Sequence, residues 1–437
     1  MPTTRSQKPD DDPTVQPSPL EEAPLFDSPP TNELDFRPGP SEEDVTRMIS
    51  EEAYSFHVKT VPGVTRYDGS RLSANSPCED RFMHGRFPSP WNDGSEWISW
   101  GVFDGHDGWE TAELLERKLM TFIRDSLVRL NPPGRINPIS DSNVQSAIAR
   151  GFEELDNSII VSAVTVVNST EPLQDKIKKL APCHAGSCAL VSIYDPGRRR
   201  LHVACTGDSR AVFGRKGHNS EWKATPLSTD QTGSNTGEIE MLQRAHTGET
   251  NIVRYGRLFG LMVTRSFGDA RWKWPLELQY DVARRFRGRI PFVSSENYRT
   301  PPYLTARPAV VTAAIDTNTP SFLIMASDGL WDLVSNDQAV NIVAKWVESK
   351  VAGTRDSEEV PEYAPFHFGK FTDEMDYQFM DCRMTTRDDN AAVHLIRNAL
   401  GGNHHDLVAS RLAFGPPYCR HIRDDMTVQV IFFNMDI

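Results

Sequence analysis

Apolar residues in this chain recur in two rhythms. Strand-length runs stand at 98–103 (ISWGVF), 187–194 (SCALVSIY), 201–205 (LHVAC), 322–327 (FLIMAS) and 427–433 (TVQVIFF). Apolar and β-branched residues in such short runs, bounded by turn residues, predict buried strands. DPGRRR joins the second run to the third, a Pro-Gly turn that predicts an antiparallel hairpin. Elsewhere the period lengthens. Residues 109–130 put Ala112, Leu115, Leu119, Phe122, Ile123 and Leu127 on one stripe, and 143–160 do the same with Val144, Ala147, Ile148, Phe152 and Leu155, which predicts two amphipathic helices. Capping boxes predict two more helix starts, Ser335 with Gln338 ahead of Val340, Val343 and Val347, and Ser41 with Asp44 ahead of Val45, Met48 and Ile49. Antiparallel strand pairs separated by long helices predict an α+β layered sandwich.

Two stretches break the rhythm. Residues 228–256 and 350–390 are polar, rich in Gly or charge, and too long for ordinary connections, so a flap-like and a variable insertion are expected there. ARRFRGR at 283–289 reads as a solvated loop. Ten of the chain's 31 prolines fall in residues 1–40, which predicts a disordered acidic tail ahead of one domain over 41–437. That tail has no apolar core for a signal peptide and is acidic where a transit peptide is Arg-rich, so it makes no convincing presequence.

Composition narrows the chemistry. A net charge of −13 argues against binding a nucleic-acid backbone, and no apolar run reaches the roughly 18 residues of a membrane span. The six cysteines form no C-x-x-C pair, and Cys188 and Cys205 fall in apolar runs, so they read as reduced small hydrophobes rather than a zinc or disulfide framework.

Acidic residues cluster at the strand ends. Glu79 and Asp80 lie in SPCEDRF, Asp104 follows the first strand in VFDGHDG, and Asp208 follows the hairpin in CTGDSRA. Asp328 follows FLIMAS, with Asp332 four residues on, and Asp424-Asp425 precede the last strand. A single Asp-Gly after a strand is usually just a turn. Together, if the strands run in opposite directions, these carboxylates reach one mouth of the sheet, where they would repel unless cations bind. Oxygen ligands favour a hard cation such as Mg²⁺ or Mn²⁺, and Gly105 would let it approach the backbone.

VFDGHDG, TGDSRA, TRSFGD, ASDGLWD and RDDMTV occur in the order found in type 2C metal-dependent protein phosphatases, and the chain resembles that family over nearly everything after residue 41. LSANSPCEDR, DQTGSN, GRLFGLMVTRSFGDARWKWP, TPPYLTARP and DDNAAVHLIRNAL resemble its pyruvate dehydrogenase phosphatase-like branch. The resemblance implies a central antiparallel β-sandwich flanked by helices, with two divalent cations in a cleft at one edge. It implies that Asp104 bridges both, that Asp328 and Asp424 hold the first, and that Glu79 or Asp80 with the Gly105 carbonyl serves the second. Asp208, Asp328 and Asp332 would form a weaker third site. A water shared by two divalent ions becomes hydroxide near neutral pH and attacks phosphorus in line, with His106 protonating the leaving Ser or Thr oxygen.

Two positions depart from the family. Its usual phosphate-holding arginine, four residues before the metal-side Glu, is Asn75 here, which makes Asn75 the substrate-binding candidate. Asp107 stands where the family has Gly or Ala. The implied partner is a phosphorylated protein, with the pyruvate dehydrogenase complex suggested by the branch. The implied location is the mitochondrial matrix, or the cytoplasm if the branch does not hold. The competing reading is a pseudophosphatase acting as a binding scaffold. A structural cation-binding domain is a third reading, one that leaves His106 without a task.

Overall fold

The strand Glu96–Phe103 shows why its sequence is apolar without interruption. Trp97 and Phe103 face a layer of helices, while Ile98, Trp100 and Val102 face a second sheet. Both faces are buried, so the polar alternation of a half-solvated strand is absent. Ser321–Ala326 divides the same way, with Phe322 and Ile324 toward helices and Leu323 and Met325 toward the opposing sheet.

The computed structural model describes residues 39–131, 139–217, 219–286, 298–353, 363, 379–416 and 418–437, and Gly39–Ile437 form one compact unit. The expected tail up to residue 38, most of the 350–390 insertion and the end of ARRFRGR lie outside the described residues.

Two antiparallel sheets stack face to face. One runs Tyr54–His57, Val64–Leu72, Met426–Phe433, Ser321–Ala326, Arg210–Lys216, Trp222–Pro226; the other runs Ala309–Ala314, Arg200–Thr206, Ala189–Asp195, Glu96–Phe103, Arg81–Pro88. Tyr67, Phe213, Leu323, Ile431 and Phe433 of the first pack between Trp100, Leu190, Tyr194 and Val203 of the second. Helices Glu110–Val128, Asp141–Asn168 and Leu173–His184 lie over the five-stranded sheet. Glu42–Ser50, Asn336–Ala352, Ala391–Leu400 and His405–Ala413 lie over the six-stranded one. This is the α+β sandwich with helices on both sides that the sequence predicts, and the capping boxes at Ser41 and Ser335 both form.

Some elements differ. The expected strand 187–194 is two pieces: Gly186–Ser187 pairs with Gly105–His106 and Phe267–Gly268 in a small sheet, and Ala189–Asp195 enters the large one. The second amphipathic helix continues to Asn168. Val64–Leu72 carries no apolar run because it is partly a polar scaffold. Arg66 pairs with buried Asp68 at 2.8 Å, and Asp68 accepts from the Ala391 amide at 2.7 Å at the start of a buried helix.

Candidate active site

Strand directions decide where the carboxylates meet. Glu96–Phe103 and Arg200–Thr206 are both antiparallel to Ala189–Asp195, so both end at the same edge and deliver Asp104 and Asp208 there. Ser321–Ala326 is antiparallel to Met426–Phe433, so Asp328 at the end of one stands beside Asp424 at the start of the other. The expectation of one sheet mouth therefore needs correcting. The first pair comes from the five-stranded sheet and the second from the six-stranded one, and the cleft opens between them. The turn at Asp208 carries the chain from one sheet to the other, which joins the two edges.

Carboxylate oxygens of Asp104, Asp208 and Asp328 lie within 4.8 Å of one another. They line a cleft of about 700 Å³ with Gly105, His106, Asp107, Asp332, Arg420 and Asp424. Burial pushes Asp104 well above the ordinary carboxylate range, and Asp328, Asp80 and Asp208 push it further. Burial and then Asp328 raise Asp208 to about 7 and Asp332 to about 6. Such a group of oxygen donors, strained by mutual repulsion, fits a hard divalent cation.

Three more predicted residues, Asn75, Glu79 and Asp80, lie on the loop beside this cluster. Asp80 is fully enclosed, accepts from the Ser327 hydroxyl at 2.7 Å, and is pushed to about 7 by burial and then Asp425. Glu79 and Asn75 do not line the cleft, but the Glu79 carboxyl, raised by burial, is within electrostatic reach of Arg420 and His106, which do. The Asn75 amide donates to Asp425 at 3.0 Å and to Glu79 at 3.3 Å. Asp425 turns away from the cleft and accepts from the backbone amides of Ala74, Asn75 and Glu79. Burial would raise it, but these donors hold it below the usual range. Of the two adjacent aspartates, Asp424 faces the cleft and Asp425 ties the 74–79 loop in place.

Gly105 is explained by that loop. A Cβ there would meet the Glu79 carbonyl oxygen at 2.4 Å, so the Asp-Gly-His turn and the Glu79 loop can pack only through glycine. The reason is backbone packing, beyond the access to a metal that the sequence suggests. Asp107 has φ +58°, the left-handed conformation that glycine adopts freely and Asp tolerates.

His106 has a partner that sequence reasoning did not assign. Its Nε2 lies 2.7 Å from Oδ2 of Asp269, which is wholly buried. Burial alone would lower the imidazole, but Asp269, then Asp107 and Asp208, outweigh it and hold it at about 9. The Asp269 carboxylate thus favours the charged form of the imidazole. Asp269 itself ends the TRSFGD motif, so the signal was present without a role attached.

The expected flap, 228–256, contains helix Thr236–Ala245 and one strand of the ribbon formed by Val253–Arg254 and Arg257–Leu258. Leu242, Ile252, Leu258, Trp272 and Tyr303 form its core. The part facing the acidic wall is Phe259, Leu261, Met262 and Val263, just past the expected boundary, because that boundary followed polarity and these residues are apolar.

The family model Protein phosphatase 2C matches residues 66–364. A protein phosphatase 2C homologue of Schizosaccharomyces pombe is 36% identical over 376 residues, covering 85% of this chain and 81% of that protein. The mitochondrial [pyruvate dehydrogenase [acetyl-transferring]]-phosphatase 1 of Saccharomyces cerevisiae is 31% identical over 423 residues, 90% of this chain and 73% of that protein. The human mitochondrial phosphatase 2 of the same name is 27% identical over 478 residues, 93% and 86%. The crystal structure of a serine-threonine phosphatase 2C from Toxoplasma gondii superposes with a TM-score of 0.51 at 16% identity, covering 87% of this chain and 99% of that one. The chain belongs to the protein phosphatase 2C family of metal-dependent protein serine/threonine phosphatases.

Proposed function

We propose that this protein hydrolyses phosphoserine and phosphothreonine by direct displacement with water on two divalent cations, Mg²⁺ or Mn²⁺, and that its substrate is the E1 component of the pyruvate dehydrogenase complex in the mitochondrial matrix. The observation that carries the chemistry is the approach of Asp104, Asp208 and Asp328 to within 4.8 Å beside His106. Asp104 would bridge the two cations, and Asp328 and Asp424 would hold the first. Because Asp80 is bonded to Ser327, Glu79 and the Gly105 carbonyl would serve the second. Asp208, Asp328 and Asp332 would make a weaker third site. When bound, the cations supply an activated water and neutralise phosphoryl charge.

The protein's own groups do the remainder. His106, kept charged by Asp269, gives its proton to the departing Ser or Thr oxygen. The apolar wall at Phe259, Leu261 and Met262 offers an extended phosphopeptide a surface opposite the carboxylates. Cys188 also reaches the cleft, but burial and then Asp208 and Asp104 push its thiol far up, so it offers no thiolate and direct displacement needs none.

The names of the yeast and human relatives support the substrate. The test compares phosphorylated E1 with an unrelated phosphothreonine protein at equal Mn²⁺. The reading expects kcat/KM at least about ten-fold higher on E1, a 1.4 kcal/mol preference. Equal values would remove the substrate and leave the chemistry standing.

A further inference from the structure

A phosphate dianion entering this cleft meets a wall of carboxylates, so cationic hydrogen-bond donors on the cleft lining would bear on how it is held. Among the described residues, three arginines line the cleft, Arg257, Arg271 and Arg420. Arg257 belongs to the flap side, where it donates to the Gly260 carbonyl at 3.2 Å. Arg271 lies 5.7 Å from the centroid of the Trp272 ring and also borders a recess shared with His184 and Trp274. Arg420 is different. It stands on the acidic side and pairs with Asp424, and its charge reaches Glu79 and Asp328. Asn75, the candidate from sequence, points its amide at Asp425 and Glu79 instead.

The Arg420–Asp424 pair is readily given up. Arg420 is 46% exposed, and exposed ion pairs contribute under about 1 kcal/mol. A guanidinium fork matches two phosphate oxygens in a way a single ammonium cannot.

Resting on the phosphatase reading above, we propose that Arg420 is the residue that holds the substrate phosphate: it releases Asp424 when that carboxylate turns to a cation, and takes two phosphoryl oxygens. The role the family gives to the arginine at the position of Asn75 thus passes to an arginine beside Asp424.

The test assays wild type, Arg420→Gln and Arg420→Lys on one phosphothreonine peptide, with inorganic phosphate as inhibitor, and measures Mn²⁺ binding by calorimetry without substrate. In Arg420→Gln, KM and the phosphate inhibition constant should both rise about ten- to hundred-fold, and kcat should fall by less than KM rises. Arg420→Lys should recover part of the loss. Mn²⁺ affinity should stay within roughly three-fold of wild type or tighten, because a competitor for Asp424 has gone. Unchanged KM and phosphate inhibition in an active Arg420→Gln protein would overturn the inference alone. Mn²⁺ affinity that weakens in step with KM would also overturn it, by making Arg420 a support of the metal site. Wild-type protein that releases no phosphate at any Mn²⁺ concentration would overturn the phosphatase reading and this inference with it.

Discussion

Nε2 of His106 and Oδ2 of Asp269 are 2.7 Å apart across 163 positions of sequence. The two meet because Gly105–His106 and Phe267–Gly268 flank Gly186–Ser187 in one small sheet. The contact decides the charge of His106, the proposed proton donor. Without Asp269, burial would dominate and the imidazole would fall from about 9.

Asp269→Asn should therefore act on catalysis through His106. An acid works only while protonated, so activity is lost as pH rises through its pKa. The substitution should move the alkaline limb of kcat to lower pH and cost about ten- to hundred-fold at pH 8, with much less lost near pH 6. His106→Asn should lose about 10²- to 10⁴-fold and leave kcat flat over the same range. A kcat profile in Asp269→Asn that drops evenly at every pH would assign the residue to folding instead.

Stability in the absence of metal should fall as pH rises. Asp80 and Asp208 titrate at about 7 and Asp332 at about 6, raised chiefly by burial, while an unfolded aspartate titrates near about 3.9. The folded protein thus holds protons that the unfolded chain has lost. The stabilisation is complete below about pH 4 and disappears as pH passes 6 to 7. Thermal melts of chelated protein should show Tm decreasing from about pH 5 to about pH 8, with Mn²⁺ raising Tm more at the higher pH. A metal-free Tm that climbs over this window would contradict the electrostatic account of the cluster.

The neighbours Asp424 and Asp425 should respond oppositely. Asp425→Ala strips an acceptor from the amides of Ala74, Asn75 and Glu79, leaving buried donors unpaired, and should cost about 3 kcal/mol or more of stability. Asp424→Asn should leave stability within about 1 kcal/mol, since its pair with Arg420 is half-exposed, yet lower activity at least about 100-fold. Denaturant unfolding beside turnover separates them.

Gly105→Ala tests the packing of the turn. Its new methyl carbon would stand 2.4 Å from the Glu79 carbonyl oxygen, so the two loops must part at a cost of about 1–3 kcal/mol. Mn²⁺ affinity should weaken with it, because the displaced loop carries Glu79. Wild-type affinity in a destabilised variant would separate the packing from the cation site.

How much of this was legible beforehand depends on what each residue does locally. The strands of Glu96–Phe103 and Ser321–Ala326 could be read because both faces are buried and the apolar signal is continuous. Val64–Leu72 and Arg81–Pro88 could not, since Arg66, Asp68, Arg81 and Arg86 answer to ion pairs, a backbone carbonyl and, for Asp68, the amide of Ala391 far off in sequence. Asp104, Asp208 and Asp328 were visible as acids at strand ends, although their descent from two sheets required the register. Asp269 and Arg420 carried no local pattern that states a role. Asp269 acquires one from His106, which folding brings within reach, and Arg420 from Asp424, four residues away, once both line the cleft.

The central claim is that the carboxylate cluster holds cations that drive phosphate release. The most direct measurement is phosphate released from a phosphothreonine peptide while Mn²⁺ or Mg²⁺ is titrated, with Asp328→Asn alongside. The account predicts saturable metal-dependent turnover that chelation abolishes and that Asp328→Asn reduces by at least about 10³-fold. Turnover that persists in chelator, or a folded Asp328→Asn protein as active as wild type, would contradict it.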